Sequence, residues 1–232
     1  MNIQEIIDLT PMWISLKTAA LATVITFIIG IAVSWWMTFC QKRGKGLIDG
    51  ILILPMVLPP TVVGFILLII FGKNGPIGKL LLELGTTVIF SWPAAVITAT
   101  VVAFPLMYKT TCAAFEQVNP DFMDAARTLG ASEWKVFFRV VMPLSWPGIL
   151  AGTILSFARA LGEFGATLML AGSIPGKTQT IPVAIFFAVE SGNMKQALIW
   201  VIIITIISFA AILALNYWNK SRNSYFVRTR RA

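Results

Sequence analysis

Five long apolar segments constrain the fold of this chain more than any other feature of its sequence. Each is longer than the roughly 20 predominantly apolar residues that an α-helix needs to cross a bilayer. A segment in lipid must satisfy its own backbone hydrogen bonds, so these segments predict helices. We therefore predict an all-α, polytopic membrane protein with five or six spans in one domain over residues 1–232. The segments lie at about residues 13–40, 47–71, 88–111, 146–172 and 196–218.

The basic residues lie mostly between these segments, and they predict the orientation of the chain. The net charge of +8 does not indicate nucleic-acid binding, because the basic residues do not gather on one polar segment. The positive-inside rule makes the basic loops cytoplasmic, which puts the N-terminus outside and the C-terminus inside. Residues 1–12 lack Lys and Arg, so no cleaved signal peptide is expected. The twelve basic residues assigned to the inside are Lys42, Arg43, Lys45, Lys109, Arg127, Lys135, Arg139, Lys220, Arg222, Arg228, Arg230 and Arg231.

The polar stretch over residues 119–143, here called the elbow, separates the third and fourth apolar segments. Asn119 is of a type that caps helix N-termini, and Pro120 suits the first helical position. Asp121 and Asp124 place negative charge in the opening turns, where the helix dipole favours it. An apolar face follows at helical spacing, formed by Phe122, Ala125, Ala126 and Leu129.

A glycine divides the elbow into two predicted helices. Gly130 can end the first helix in the left-handed conformation, which glycine adopts without steric cost. Ser132 can cap a second helix, and we predict that this helix ends at Met142 because Pro143 follows. Taken alone, the elbow is compatible with docking onto a partner protein or with lying on the membrane surface.

The spacing of the elbow resembles the cytoplasmic EAA loop of ATP-binding-cassette (ABC) importer permeases. The pattern of that family is Glu-Ala-Ala, three residues, Gly, nine residues and then Ile-x-Leu-Pro. The matching residues here are Asp124, Ala125, Ala126, Gly130 and Pro143, with Asp for Glu, Val for Ile and Met for Leu. The resemblance implies a type I ABC importer permease fold, in which the elbow docks onto a separate ATPase subunit and transmits its closure to the spans.

Two apolar segments carry residues that a simple membrane anchor does not need. Pro59 and Pro60 remove two backbone donors and should break the second segment, either as part of a transport path or as a packing kink.

Arg159 and Glu163 lie one helical turn apart in the fourth segment. Placing an arginine at the centre of a membrane helix costs at least about 2.5 kcal/mol of insertion free energy. They are candidates for a translocation pathway or gate, or for an internal ion pair that fixes packing. Small residues recur every fourth position and predict a closely packed neighbouring helix: Gly148, Gly152, Ser156 and Ala160.

The run from Ser156 to Phe186 resembles the permeases of the molybdate and sulfate branch of ABC importers. Its part from Ser173 to Pro182 looks like the molybdate members in particular, and the LPMVLPP run of the second segment matches the same branch. The resemblance implies a molybdate importer in the cytoplasmic membrane of a prokaryote. It also implies a second copy of the chain, two ATP-binding subunits and a periplasmic or extracellular molybdate-binding protein as partners. Tungstate and sulfate stay open as substrates.

The sequence shows no motif for catalysis, a cofactor or a metal, so neither enzyme activity nor a cofactor is expected. Gly176, Lys177 and Thr178 end like a P-loop, but Ala171 stands where the first glycine is required. Cys40 and Cys112 lie near span ends and are interpreted as free thiols. Alternatives from other classes are a stand-alone channel or secondary anion carrier, and an integral membrane enzyme. A carrier would favour internal repeats and coupling-ion residues, and an enzyme would favour titratable groups clustered at one membrane face.

Overall fold

The computed structural model describes residues 8–39 and 44–228, and every regular element in these ranges is helical. The expected all-α class is therefore confirmed. The predictions for Cys40, Lys42, Arg43, Arg230 and Arg231, and for the side chains of residues 214–228, lie outside what is described. A π-helical turn, Phe137–Val141, joins α7 to α8. The helices are α1 (Thr10–Phe39), α2 (Lys45–Val57), α3 (Pro60–Phe71), α4 (Pro76–Glu83), α5 (Trp92–Glu116), α6 (Pro120–Thr128), α7 (Glu133–Val136), α8 (Met142–Leu161), α9 (Gly165–Ala171), α10 (Ile181–Glu190) and α11 (Met194–Arg228).

The number of membrane spans agrees with the five expected. α2 and α3, whose axes are bent by 112°, supply one span if the pair counts as a single crossing. Two helices run beyond their predicted ends, because α5 continues to Glu116 and α11 to Arg228. Within the described ranges, four further helical segments are long and apolar enough to cross: Thr10–Phe39, Trp92–Glu116, Glu133–Leu161 and Met194–Leu213.

α5 is the central helix of the bundle, and it packs against α1, α8 and α9. The small-residue stripe predicted on α8 lies against it. A Cβ added at Gly148 would lie 2.5 Å from the Cβ of Ala114, and one added at Gly152 would lie 2.1 Å from the Oγ1 of Thr110. These separations are too short for any larger side chain without movement of the helices. The predicted close approach of another helix is therefore confirmed.

The fourth predicted span differs from the structure at both ends. Helical structure starts at Glu133 and continues through Pro143 to Leu161, so the prediction that the second elbow helix ends at Met142 is wrong. The Met142 N–H donates to the carbonyl of Phe137, five residues back. This wider π turn stands directly before a residue that has no N–H, which is how the helix accommodates a proline that would otherwise clash with the preceding turn. The helix then stops at Leu161, well before the predicted end near residue 172.

The two loops predicted to lie outside each contain a short helix. The loop over residues 72–87 holds α4, which the sequence reasoning missed although a Gly75–Pro76 start signal was present. The loop over residues 173–195 holds α10, whose ten residues are too few to cross a bilayer. α10 is therefore a short helix between two spans.

Candidate functional site

The elbow folds into a short helix, a glycine bend and the start of a second helix that continues into the span. The Asn119 Oδ1 accepts a hydrogen bond from the Asp121 N–H over 2.9 Å and so caps α6. Gly130 adopts a φ of +79°, as the predicted left-handed bend requires. α7 begins directly after Ser132, but the Ser132 side chain makes no capping hydrogen bond. The bend is therefore confirmed, whereas the predicted side-chain cap is wrong.

An ion-pair bridge that the sequence reasoning missed connects the two elbow helices across the bend. Arg127 donates from Nε and Nη2 to the two carboxylate oxygens of Glu133, at 2.8 and 3.0 Å, and from Nη1 to Asp124 at 2.8 Å. Hydrogen bonds from Arg127 keep the pKa of Glu133 below its usual value. Because all three side chains are largely exposed, the bridge orients the helices more than it stabilises the fold. The sequence did contain a signal for this bridge, because oppositely charged residues lie on either side of Gly130.

The apolar face predicted for α6 is only partly covered by the rest of the chain, because Ala126 packs against a buried cluster while the other three residues of the face are exposed. Phe122 and Leu129 are 56% and 88% exposed, and Ala125 is exposed as well. Met123 instead anchors α6, because its side chain is buried in a cluster that includes Val136, Phe137 and Ile149. The elbow therefore presents an apolar surface that no described part of the chain covers.

Two interrupted helix pairs meet in the bundle. α2 ends before Pro59 and α3 starts at Pro60, so the predicted proline break is confirmed. α8 and α9 are likewise separated by residues 162–164. A Cβ added at Gly165, the first residue of α9, would lie 3.1 Å from the Cβ of Pro60. We call residues 58–60 and 162–164 together the double break. The sequence did not predict that these two interruptions would lie next to each other.

Arg159 and Glu163 form an ion pair at the double break. The Arg159 Nη1 lies 2.9 Å from the Glu163 Oε2. This contact is not aligned as a hydrogen bond, so Oε2 has an electrostatic partner but no hydrogen-bond partner among the described residues. The Glu163 Oε1 accepts a hydrogen bond from the Ala166 N–H over 2.8 Å, which fixes the carboxylate at the start of α9. The Glu163 side chain is 1% exposed and that of Arg159 33% exposed, so of the pair only the Arg159 side chain is open to the surroundings.

The candidate residues thus form two groups at opposite ends of α8. Asp124, Ala125, Ala126 and Gly130 lie together in the elbow, and Pro143 lies in the first turn of α8, after α7 and the π turn. Pro59, Pro60, Arg159 and Glu163 gather at the double break. At 1.5 Å per residue, Arg159 lies roughly 25 Å along α8 from Met142, which is most of the thickness of a hydrocarbon core.

Comparison with known proteins decides the family. Residues 27–222 match the family described as "Binding-protein-dependent transport system inner membrane component". The chain belongs to this family. This inner membrane component is 50% identical over 201 residues to YvgM of Bacillus subtilis (strain 168), a protein named for molybdenum transport, covering 86% of this chain and 88% of that one. It is 43% identical over 206 residues to the molybdenum transport system permease protein ModB of Escherichia coli (strain K12), covering 88% and 90%.

Solved transporter structures share the fold of this inner membrane component. The MetNI methionine ABC transporter matches with a TM-score of 0.74 at 15% identity, covering 95% of this chain and 99% of the matched chain. A bacterial ABC transporter that imports the acidic polysaccharide alginate matches with a TM-score of 0.76 at 16% identity, covering 95% and 80%. The expected ABC importer permease fold is therefore confirmed, for a multi-pass component of the inner membrane.

Proposed function

We propose that this inner membrane component is the permease subunit of an ATP-driven importer that carries molybdate inward by alternating access. The observation that carries the proposal is the uncovered apolar surface of α6, held at a left-handed Gly130 bend and continuous through α7 with the spanning helix α8. Such a surface can receive a force from a partner protein and pass it to the bundle. The molybdenum-transport names of relatives at 43–50% identity indicate the substrate.

The partners in this proposal follow from the same surfaces. An ATPase subunit binds the elbow through Phe122, Ala125 and Leu129, while the Arg127 bridge keeps α6 and α7 at a fixed angle. Two copies of the chain, two ATPase subunits and an outside molybdate-binding protein make the complete importer. The double break provides the discontinuous helices that line transport paths in many membrane proteins. ATP-driven closure of the two ATPase subunits opens the paired bundles outward, and their separation opens them inward.

Sulfate is the second candidate substrate, because one relative supports it. A sulfate transport system permease protein, cysT of Chlorokybus atmophyticus, is 33% identical over 215 residues, covering 93% of this chain and 75% of that one. Molybdate, tungstate and sulfate are all divalent tetrahedral oxyanions, so the membrane path has little to distinguish among them. We therefore assign most of the selectivity to the binding protein.

The proposal predicts ATP-dependent oxyanion uptake into proteoliposomes that contain the chain with its ATPase subunits and binding protein. Uptake of molybdate should exceed that of sulfate at equal concentration, and it should stop when the binding protein or ATP is omitted. Labelled molybdate, tungstate and sulfate are compared in one assay. Uptake by the chain alone, driven by an ion gradient or by the anion gradient, would instead establish the carrier or channel alternative.

The proposed orientation, with the N-terminus outside and the C-terminus cytoplasmic, predicts a labelling pattern. In a variant with Cys40 and Cys112 replaced by Ser, single cysteines are introduced as Lys79→Cys on α4 and Leu129→Cys in the elbow. Both positions are exposed in the structure. The chain is expressed without its ATPase subunits, so that the proposed docking does not cover Leu129→Cys and access to reagent depends on the side of the membrane. A membrane-impermeant maleimide should label Lys79→Cys in intact cells and Leu129→Cys only after permeabilisation. The opposite pattern would reverse the topology.

A further inference from the structure

We infer that the transported oxyanion makes direct contact with the Arg159 guanidinium at the double break, and that Glu163 is a positioning residue for this contact. The inference deepens the proposed function and rests on it. It assigns a binding site inside the bundle, with a divalent tetrahedral oxyanion as the ligand class.

The N–H donors of the Arg159 guanidinium lack hydrogen-bond acceptors among the described residues. A guanidinium carries five N–H donors, and Arg159 makes no hydrogen bond to any described residue of the chain, only the ion pair with Glu163. Lipid tails cannot accept these donors, and an arginine facing hydrocarbon deep in the bilayer is strongly disfavoured. A third of the side chain is nevertheless exposed. The open side of Arg159 must therefore face water, an anion or another protein chain.

The described spans offer few carboxylates that could pair with Arg159 from another copy of the chain. Apart from Glu116 and Glu133 at span ends, the carboxylates of the described candidate spans and of the break after α8 are Asp49 and Glu163. Asp49 is already paired with Lys109 at 2.9 Å and accepts a hydrogen bond from the Tyr108 hydroxyl at 2.6 Å. Glu163 is 1% exposed within its own chain. Neither of these two carboxylates is therefore free to neutralise Arg159 of a second copy.

The geometry and charge of the Arg159 guanidinium suit a tetrahedral oxyanion. An arginine fork matches the paired oxygens of a tetrahedral oxyanion and binds them with charge-assisted hydrogen bonds. Glu163 holds Nη1 from the buried side and is itself held by the Ala166 N–H, so the remaining donors stay available on the open side. The carboxylate also cancels the formal charge of the arginine. Binding of a dianion then stays weak enough for release, as a conducting site requires.

Accessibility of the Arg159 face gives the first test. Leu155 lies one helical turn before Arg159 and is 43% exposed. In the assembled complex without other cysteines, Leu155→Cys should react with a water-soluble maleimide, and millimolar molybdate should slow this reaction. The protection should disappear when Arg159→Gln and Glu163→Gln are combined. A cysteine that never reacts, or protection that persists in the combined variant, overturns the inference.

Transport stoichiometry gives the second test. The combined variant Arg159→Gln/Glu163→Gln leaves no uncompensated charge, so it should assemble and keep ATP hydrolysis stimulated by the loaded binding protein. Because a charge-assisted contact is lost, molybdate moved per ATP should fall about tenfold or more. Arg159→Lys, which keeps the charge without the fork, should fall between this variant and the unmodified chain.

The matched control is the Asp49–Lys109 ion pair, which the proposed orientation places near the cytoplasmic side. Asp49→Asn/Lys109→Gln also neutralises a pair, yet it should keep the ratio of molybdate to ATP. An unchanged ratio in both Arg159 variants shows that Arg159 is only a packing residue. Absence of uptake by the unmodified complex would instead contradict the proposed function itself, so the two failures are distinguishable.

Discussion

Gly130→Val is expected to lower coupled oxyanion uptake by about 5- to 30-fold. Gly130 has a φ of +79°, and a Cβ added there meets nothing within 4 Å, so the substitution causes no clash. Its effect is confined to the backbone, because an L-residue in the left-handed region costs roughly 1–2 kcal/mol and a β-branched residue resists it most. The bend relaxes by changing the angle between α6 and α7, which displaces the exposed face of α6. A free-energy cost of roughly 1–2 kcal/mol in the docked conformation weakens ATPase binding by about 5- to 30-fold.

Two companion variants separate backbone strain in the elbow from general loss of folding. Gly85 has a φ of +73° and equally open space, but it follows α4 on a loop that the proposed orientation places outside. Gly85→Val should therefore leave uptake and ATPase binding unchanged. Gly130→Asn should retain most activity, since Asn tolerates the left-handed conformation. The measurements are uptake in proteoliposomes and the dissociation constant of the ATPase subunit. Normal docking and coupling by Gly130→Val would sink the proposed role of the elbow.

The features that the sequence predicted are those determined by the chemistry of a single residue. Pro59 and Pro60 remove two successive N–H donors, so a break there could be predicted, whereas the single Pro143 is accommodated within continuous helical structure. Asn119 caps and Gly130 bends for similarly local reasons. Hydrophobic length likewise indicated the five spans, because a bilayer imposes one thickness on every crossing.

The features that the sequence did not predict depend on contacts between distant parts of the chain. Hydropathy treats residues 146–172 as one span, since glycines interrupt a helix without lowering its apolar content. The interruption after Leu161 is accompanied by a buried contact, in which the Glu163 carboxylate accepts a hydrogen bond from the Ala166 N–H. Hydropathy does not report such a contact. Periodicity identified an apolar face on α6, but it could not indicate that Met123 would be the buried anchor and Phe122 the exposed residue. Whether each of these side chains is buried depends on which distant part of the chain packs against it.

One packed cluster connects the elbow to the rest of α8. Met123 of α6, Val136 and Phe137 near the π turn, and Ile149 of α8 are all buried in the same group. Close packing transmits displacement because there is no void to absorb it. Under the proposed docking, a shift of α6 on a closing ATPase moves the start of α8, and α8 carries Arg159 at its far end. This continuity is a physical route from the proposed docking surface to the proposed anion contact.

The Arg159–Glu163 pair is expected to show strong and asymmetric coupling in stability. Arg159→Gln should lower the free energy of unfolding by about 3–5 kcal/mol, because it leaves a buried carboxylate without a counter-charge. Glu163→Gln should cost less, since water can still reach the partly exposed guanidinium, and the Gln oxygen can still accept from the Ala166 N–H. The combined variant should be more stable than Arg159→Gln alone. The coupling energy should then exceed roughly 1 kcal/mol.

Reversible unfolding in mixed detergent micelles measures this cycle, with Arg127 and Glu133 as the matched control pair. Arg127 and Glu133 form two aligned hydrogen bonds of 2.8 and 3.0 Å, whereas the 2.9 Å contact between Arg159 and Glu163 is not aligned as a hydrogen bond, yet both side chains of the control pair are exposed. If burial rather than geometry determines the value of an ion pair, the cycle for Arg127→Gln and Glu133→Gln should show much weaker coupling. Additive losses at Arg159 and Glu163 would mean that each charge is compensated separately, and Glu163 would then have no positioning role for the arginine.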